Sequence, residues 1–140
     1  MHRPKMEALG KHILAEFYNC DPSAINDEAH VEELFLKTAK DSGATVINWN
    51  FHKFSPHGIS GVVVISESHL TIHTWPEYGY CAVDVFTCGD RIDNRLCLSM
   101  LEKGLKAGQT SVVEMNRGII GLGVNVPNGK TNHVMEAAAA

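Results

Sequence analysis

The sequence predicts one α+β domain of two layers, in which two helices cover one face of a mainly antiparallel sheet. Predicted elements follow the order β-α-β-β-β-β-α-β along residues 1–140. Most neighbouring strands are joined by connections too short for a crossover, so they should pair as antiparallel hairpins. Because two helices can cover only one face of such a sheet, we expect a partner subunit to cover the other.

The first predicted elements are a strand and a helix. His12–Cys20 places apolar side chains on one face, which is typical of a half-buried strand. Asp21-Pro22-Ser23 predicts a turn. Asn26 or Asp27 then caps a helix that runs to about Ser42, with apolar residues at helical spacing.

Two strands of different character follow. Ala44–Phe54 alternates between apolar and polar side chains until Ser55-Pro56-His57-Gly58 interrupts it. Gly61–Ile65 is a short, fully apolar segment rich in β-branched residues. From it we expect a central strand that is buried on both faces.

The second half repeats the alternation of strands and helix. Strands are predicted over Leu70–Trp75 and over Tyr80–Thr87. Asp93 can cap a helix over Asn94–Ala107, whose apolar residues share one face. A last strand, Ser111–Met115, is expected to complete the core.

Charge and composition exclude several classes of partner. The net charge is −4 and no basic stripe is present, so neither nucleic acid nor an anionic membrane surface is an expected partner. No stretch reaches the ~18–20 apolar residues of a membrane span. The spacing of the four cysteines does not match the disulfide framework of a short secreted protein, so we interpret them as free thiols. Free thiols are typical of a reducing compartment, and we therefore expect the protein to lie in the cytoplasm.

Polar side chains are concentrated just after the most apolar strand, in residues 66–88. His69 and His73 could suggest a metal, but four residues along a strand separate their Cα atoms by about 13 Å. No third ligand lies at zinc spacing, so no metal site is predicted. Ser68 lacks the G-x-S-x-G elbow of a serine hydrolase. Taken alone, these residues also fit hydrogen-bonded loop positions.

Several motifs in order resemble one family. The segment VISESHLTIHTWPE at residues 64–77 resembles the self-cleavage motif of bacterial and archaeal S-adenosylmethionine decarboxylases. GKHILAEF at 10–17, FHKF at 51–54, YGY at 78–80 and DVFTCG at 84–89 extend the similarity. It covers roughly residues 9–118 and matches the short-chain prokaryotic form.

The resemblance implies a proenzyme that makes its own cofactor. The Ser68 hydroxyl would attack the Glu67 carbonyl, and the chain would be cut between these two residues into fragments 1–67 (the β chain) and 68–140 (the α chain). Ser68 would become a covalent pyruvoyl group that forms a Schiff base with the substrate's amine. His73 matches the family's processing base, and Ser60 matches a serine that assists processing.

The resemblance also implies the remaining site residues. Cys88 matches the catalytic proton donor, a role that suits a thiol because its ordinary pKa of about 8.5 keeps it mostly protonated near neutral pH. Phe54 and Trp75 would sandwich the adenine, and Glu77 would bind the ribose hydroxyls. His69 has no assigned role and is predicted to be a loop residue.

The implied reaction is decarboxylation of S-adenosyl-L-methionine, which yields CO₂ and an aminopropyl donor for spermidine synthesis. The implied assembly is a homodimer of αβ units with sites at the interface, without bound metal. One alternative is a pyruvoyl-dependent decarboxylase of arginine or ornithine. Another is a non-processing regulatory paralogue. The nucleoside-type residues argue against the first, and retention of Ser68, His73 and Cys88 argues against the second.

Overall fold

Residues 8–119, described here from a computed structural model, form a six-stranded antiparallel sheet with helices against one face. The strands are β1 (Ala8–Tyr18), β2 (Val46–Lys53), β3 (Ile59–Ile65), β4 (Ser68–Trp75), β5 (Tyr80–Thr87) and β6 (Gln109–Ile119). The helices are α1 (Pro22–Ile25), α2 (Glu28–Asp41) and α3 (Asn94–Gly104). The strand order across the sheet is β2-β3-β4-β5-β1-β6. Within this part of the chain, no helix combines the length and apolar character needed to cross a membrane.

The predicted fold class and element order are confirmed. All five strand pairings are antiparallel. Both long helices begin where their caps were predicted: the side chain of Asp27 accepts a hydrogen bond from the backbone N–H of His30, and that of Asp93 accepts one from the N–H of Leu96. These caps satisfy N–H groups that a helix leaves unpaired at its start.

Two local predictions were wrong. The turn predicted at Asp21-Pro22-Ser23 is the start of the short helix α1, because Asp21 caps it and Pro22 is pre-shaped for a first helical position. His69 is not in a loop, because β4 begins at Ser68, which pairs with Ile65 across a turn of only two residues.

The hydrophobic core lies between the sheet and helices α2 and α3. Alternate residues of the inner strands face the helices and are fully buried, as shown by Phe17 of β1 and Ile72 of β4. Phe35 of α2 packs edge-to-face on Phe51 of β2, with ring centroids 6.1 Å apart. Such aromatic pairs fix the orientation of a helix over a sheet in addition to burying apolar area.

Among residues 8–119, no element covers the other face of the sheet, and we call it the open face. Val64 of β3 is 40% exposed there, so the prediction that this strand is buried on both faces was wrong for the single chain. β6 lies at the sheet edge and does not complete the core: Val113 is 60% exposed and Met115 is 48% exposed. An apolar segment shows that burial is favoured, but it does not show what provides the cover.

Gly61 allows a close approach between β2 and β3. It lies directly opposite Phe51 in the register, and the Phe51 ring occupies the space that a Cβ at position 61 would fill. This ring is held from the other side by Phe35. Glycine is therefore required at this position by packing.

The variant Gly61→Ala should lower the free energy of unfolding by about 1–3 kcal/mol, the usual cost of overpacking a core. Chemical denaturation of the uncleaved protein measures this change. In the double variant Gly61→Ala with Phe51→Leu, the smaller residue at position 51 relieves the clash, so the two effects should not add. Strictly additive losses would contradict this account of Gly61.

Candidate active site

The turn between β3 and β4 carries an unusual backbone conformation at Ser68. Ile65 pairs with Ser68, leaving only Ser66 and Glu67 in the turn. Ser68 has φ +148°, a region that residues with a side chain rarely adopt. Such backbone strain costs of order 1–3 kcal/mol and persists only where surrounding structure holds it.

The carbonyl that precedes Ser68 accepts a well-placed hydrogen bond. Ser68 also pairs with Thr87 at the end of β5, so the next residue, Cys88, lies beside the turn. The backbone N–H of Cys88 donates to the carbonyl oxygen of Glu67 over 3.0 Å. A donor in this position would stabilise negative charge developing on that oxygen if the carbonyl were attacked.

The side chain of Glu67 points back into the protein and is only 6% exposed. One carboxylate oxygen accepts a hydrogen bond from the backbone N–H of Thr45 over 3.0 Å, and the other accepts from the Ser66 hydroxyl over 2.5 Å. The Ser66 hydroxyl, followed by the Thr45 N–H, holds the pKa of this carboxyl below its ordinary value, and the charge of Arg91 acts in the same direction. Glu67 is therefore a buried carboxylate whose two oxygens both accept hydrogen bonds.

A second group of candidate residues lies on the open face, centred on His73. Its Nδ1 and the hydroxyl of Ser60 are 2.8 Å apart, at hydrogen-bond distance, and the imidazole tautomer decides which of the two donates. The two residues are direct cross-strand neighbours. A cleft of about 290 Å³ opens beside them and is also lined by Asn50, His52 and Thr71.

The aromatic and acidic residues predicted to bind a nucleoside lie at the same end of the sheet as His73. Phe54 follows β2, and Trp75 ends β4; they are 49% and 40% exposed. Because β2 and β4 flank β3, their backbones are about 10 Å apart, two strand spacings. Trp75 is backed by Tyr80, with ring centroids 5.3 Å apart. Glu77, just beyond β4, pairs with His57.

These residues form two separate groups within one chain. Ser68 and His73 lie five residues apart on one extended strand, which corresponds to about 17 Å between their Cα atoms. Trp75 lies about 23 Å from Ser68 along the same strand. After the roles that the resemblance implies for them, we call Ser68, Glu67 and Cys88 the cleavage half-site, and His73, Ser60, Phe54, Trp75 and Glu77 the nucleoside half-site.

The sequence does not predict this separation, because the expected strand begins at Leu70 and leaves Ser68 in the segment before it. The density of polar side chains in residues 66–88 suggests one cluster instead. The contact of the Thr45 N–H with Glu67 was also not predicted, since nothing in the local pattern links these two segments.

His69 lies on the open face beside the cleavage half-site. Its ring lies 5.6 Å from that of Phe86 and 6.5 Å from that of His12. Burial, and secondarily the nearby His12, lower its pKa. His12 in turn contacts the Asp84 carboxylate at 3.0 Å. Among residues 8–119, no cluster of three or more His, Cys, Asp or Glu side chains has the arrangement of a metal site.

Comparison with known proteins gives a consistent result. A sequence model of the S-adenosylmethionine decarboxylase family matches residues 11–118. The chain is 52% identical to the S-adenosylmethionine decarboxylase proenzyme of Thermosipho melanesiensis over 88% of this chain and 97% of that protein. It is 49% identical to the Fervidobacterium nodosum proenzyme of the same name, over 96% and 98% of the two chains.

A solved structure agrees with the sequence relatives. The adenosylmethionine decarboxylase of Aquifex aeolicus superimposes with a TM-score of 0.77 at 33% identity, covering 90% of this chain and 98% of the other. Fold and site thus define an α+β decarboxylase whose motifs lie on one antiparallel sheet. The chain belongs to the S-adenosylmethionine decarboxylase family.

The environments of the four cysteines predict very different reactivity. Cys88 is exposed, whereas Cys20, Cys81 and Cys97 are buried, and burial raises the pKa of Cys97 to about 12. An aromatic disulfide reagent should therefore modify one thiol per native chain rapidly, because the thiolate is the reactive form. Absorbance of the released thiol measures this stoichiometry.

The matched control for this prediction is Cys88→Ser. That variant should lose the fast phase and keep the slow reaction of the other three thiols. A fast phase that survives the substitution would contradict the assigned exposure.

Proposed function

We propose that this chain is a self-processing S-adenosyl-L-methionine decarboxylase that yields CO₂ and decarboxylated S-adenosylmethionine, the aminopropyl donor for spermidine synthesis. The observation that carries the proposal is the strained Ser68, preceded by a carbonyl that already accepts the Cys88 N–H. Membership in the family and the decarboxylase names of its relatives support the reaction. The free thiols are consistent with a cytoplasmic location.

Self-cleavage begins with attack of the Ser68 hydroxyl oxygen on the carbonyl carbon of Glu67. The Cys88 N–H, already 3.0 Å from that carbonyl oxygen, stabilises the oxyanion as it forms. Breaking the C–N bond turns the amide into an ester, and the freed amine takes a proton. The strain recorded in φ at Ser68 would be released by this step, because the peptide link no longer constrains it.

A base then removes the α-proton of Ser68, and the ester is eliminated with the main-chain carboxylate of Glu67 as the leaving group. His73 is the proposed base, and Ser60, at 2.8 Å from its Nδ1, fixes the imidazole orientation. The resulting dehydroalanine takes up water and releases ammonia, which leaves a pyruvoyl group at the start of fragment 68–140. Fragment 1–67 ends in the new main-chain carboxylate of Glu67.

The residues around Ser68 fit a pyruvoyl group, because the position is a partly exposed strand end and Cys88 follows its cross-strand partner Thr87. When present, the pyruvoyl group supplies an electron sink for loss of CO₂ from the substrate. Cys88 is the proposed donor of the proton that replaces the carboxylate, since it is exposed and follows the strand that pairs with Ser68. The three buried thiols have no such access.

The nucleoside half-site is proposed to hold the adenosyl part of the substrate. Phe54 and Trp75 present exposed rings at the same end of the sheet, and stacking contributes about 1–3 kcal/mol per base. The same faces favour a sulfonium through cation–π attraction. The Glu77 carboxylate, held by His57, is placed to accept hydrogen bonds from the ribose hydroxyls.

A homodimer is proposed because one chain does not bring its two half-sites together. A second copy packed on the open face by a two-fold axis would place the nucleoside half-site of each chain against the cleavage half-site of the other. The open face is suited to burial, since Leu14, Val64, Val113 and Met115 expose 40–60% of their surface there. Each site would then take residues from both copies.

The alternative substrates are less well supported by the site. Arginine or ornithine would leave Phe54 and Trp75 exposed without a base to stack on, and Glu77 without a sugar hydroxyl. A regulatory role without cleavage would leave the strain at Ser68 unexplained.

Intact mass of the purified protein tests self-cleavage directly. The wild type should give two fragments, 1–67 and 68–140, and the second should lack a free amine. Ser68→Ala should remain one chain of about 15.3 kDa and be inactive, because it has no hydroxyl to attack with. Release of CO₂ from carboxyl-labelled S-adenosylmethionine should greatly exceed release from labelled arginine or ornithine. An active wild type that still carries an ordinary serine at position 68 would overturn the proposal.

Mixed dimers test whether each site is shared between copies. His73→Ala alone should cleave poorly, and Ser68→Ala alone should not cleave. In co-expressed heterodimers, the intact His73 of one chain can act on the intact Ser68 of the other, so the His73→Ala chain should be cut. Different affinity tags isolate the heterodimer, and mass spectrometry identifies which chain is cut. Isolated heterodimers that stay whole would show that the base acts within its own chain.

A further inference from the structure

Glu67 is held at both ends, by its main-chain carbonyl and by its side chain. The carbonyl oxygen accepts the Cys88 N–H over 3.0 Å. The carboxylate accepts the Thr45 N–H over 3.0 Å, and the Ser66 N–H donates to the Thr45 carbonyl over 2.9 Å. The β3–β4 turn is thus fastened on one side to the segment before β2 and on the other to the segment after β5.

We propose that Glu67 is a positioning residue for self-cleavage. Its side-chain carboxylate keeps the main-chain carbonyl of the same residue hydrogen-bonded to the Cys88 N–H while the Ser68 hydroxyl attacks. This inference rests on the self-cleavage proposed above. It assigns to the residue before the cut a role beyond supplying the carbonyl that is attacked.

The physical argument starts from the shortness of the turn. With two residues between paired strands, a rotation of the Glu67–Ser68 peptide that relaxed the φ of Ser68 would also carry the Glu67 carbonyl away from Cys88. Hydrogen bonds to a carboxylate are about twice as strong as neutral ones, so the contacts to Thr45 and Ser66 oppose that rotation. Misplacing a reacting group by about 1 Å can reduce a rate by about 10²-fold.

The negative charge of Glu67 is also kept away from the reaction. A carboxylate directed at the attacked carbonyl would repel the developing oxyanion. Here its two oxygens are occupied by Thr45 and Ser66, and the charge of Arg91 partly offsets it. The side chain therefore acts through the turn and does not touch the reacting atoms.

The test compares the rate of self-cleavage in Glu67→Met and Glu67→Gln with the wild type, followed by intact mass in freshly prepared proenzyme. Methionine keeps the length of the side chain but accepts no strong hydrogen bond, and it should slow cleavage at least about tenfold. Glutamine keeps one carbonyl oxygen for the Thr45 N–H and should recover most of the rate. Glu102→Met, on the exposed surface of α3, is the matched control and should cleave like the wild type.

Hydroxylamine separates positioning from a general loss of structure. It cleaves an ester once the ester has formed, so it should release fragments from His73→Ala, in which only the later proton removal is blocked. It should not accelerate Glu67→Met, because the attack itself is impaired. Circular dichroism and thermal unfolding check that each variant is folded. If Glu67→Met does not fold, Ser66→Ala, which removes one of the two donors, decides the question and should slow cleavage several-fold.

Two results with folded Glu67→Met would overturn the inference: cleavage at the wild-type rate, or acceleration of its cleavage by hydroxylamine. If Glu67→Met does not fold, an unchanged cleavage rate in Ser66→Ala would overturn it. None of these results would affect the proposed function, since the wild type would still cleave. Failure of the wild type itself to cleave would instead overturn the proposed function.

Discussion

The pairing of Ser68 with Ile65 on one side and with Thr87 on the other is the constraint on which the candidate site depends. It makes the β3–β4 turn two residues long, and it places Cys88 next to the carbonyl of Glu67. Register in a sheet is set by which residues face the core, and a slip of one residue would turn every side chain of the strand over. The burial of Leu70 and Ile72 against the helices therefore also fixes the geometry at Ser68.

Neighbouring residues of a strand face opposite sides of the sheet and so serve different purposes. Along β4, Leu70, Ile72 and Thr74 face the helices and are buried, while the intervening residues face the open side, among them His73 and Trp75. The candidate functional side chains therefore stand on a backbone that the core makes rigid, which suits a site that needs precise placement. The extended strand also acts as a fixed spacer, so that the cleavage half-site and the nucleoside half-site cannot approach each other within one chain.

Much of the fold could be predicted from the sequence, because the physical signals were local. Asp27 and Asp93 mark helix starts, and the alternation in Tyr80–Thr87 gives a strand with the observed bounds. The errors came from non-local causes. The exposure of Val64 and of β6 depends on what lies across the sheet, which an apolar pattern does not reveal.

The candidate site shows the same division. Candidate residues for the chemistry were predicted from the family motifs, and in the structure Cys88 is exposed and the Ser60 hydroxyl lies at hydrogen-bond distance from His73. The φ of Ser68, the Cys88 N–H on the Glu67 carbonyl and the contact from Thr45 were not predictable. Each depends on segments that are distant in sequence and meet only through the strand order.

That strand order has a consequence for the fragments that a cut after Glu67 would produce. β1, β2 and β3 would belong to one fragment, and β4, β5 and β6 to the other, yet in the sheet β1 lies between β5 and β6. The fragments would be interleaved along three shared borders, β3 with β4, β5 with β1 and β1 with β6. Separating the fragments would require breaking the interstrand hydrogen bonds at these borders. The two polypeptides would therefore stay together in one folded domain without a covalent link.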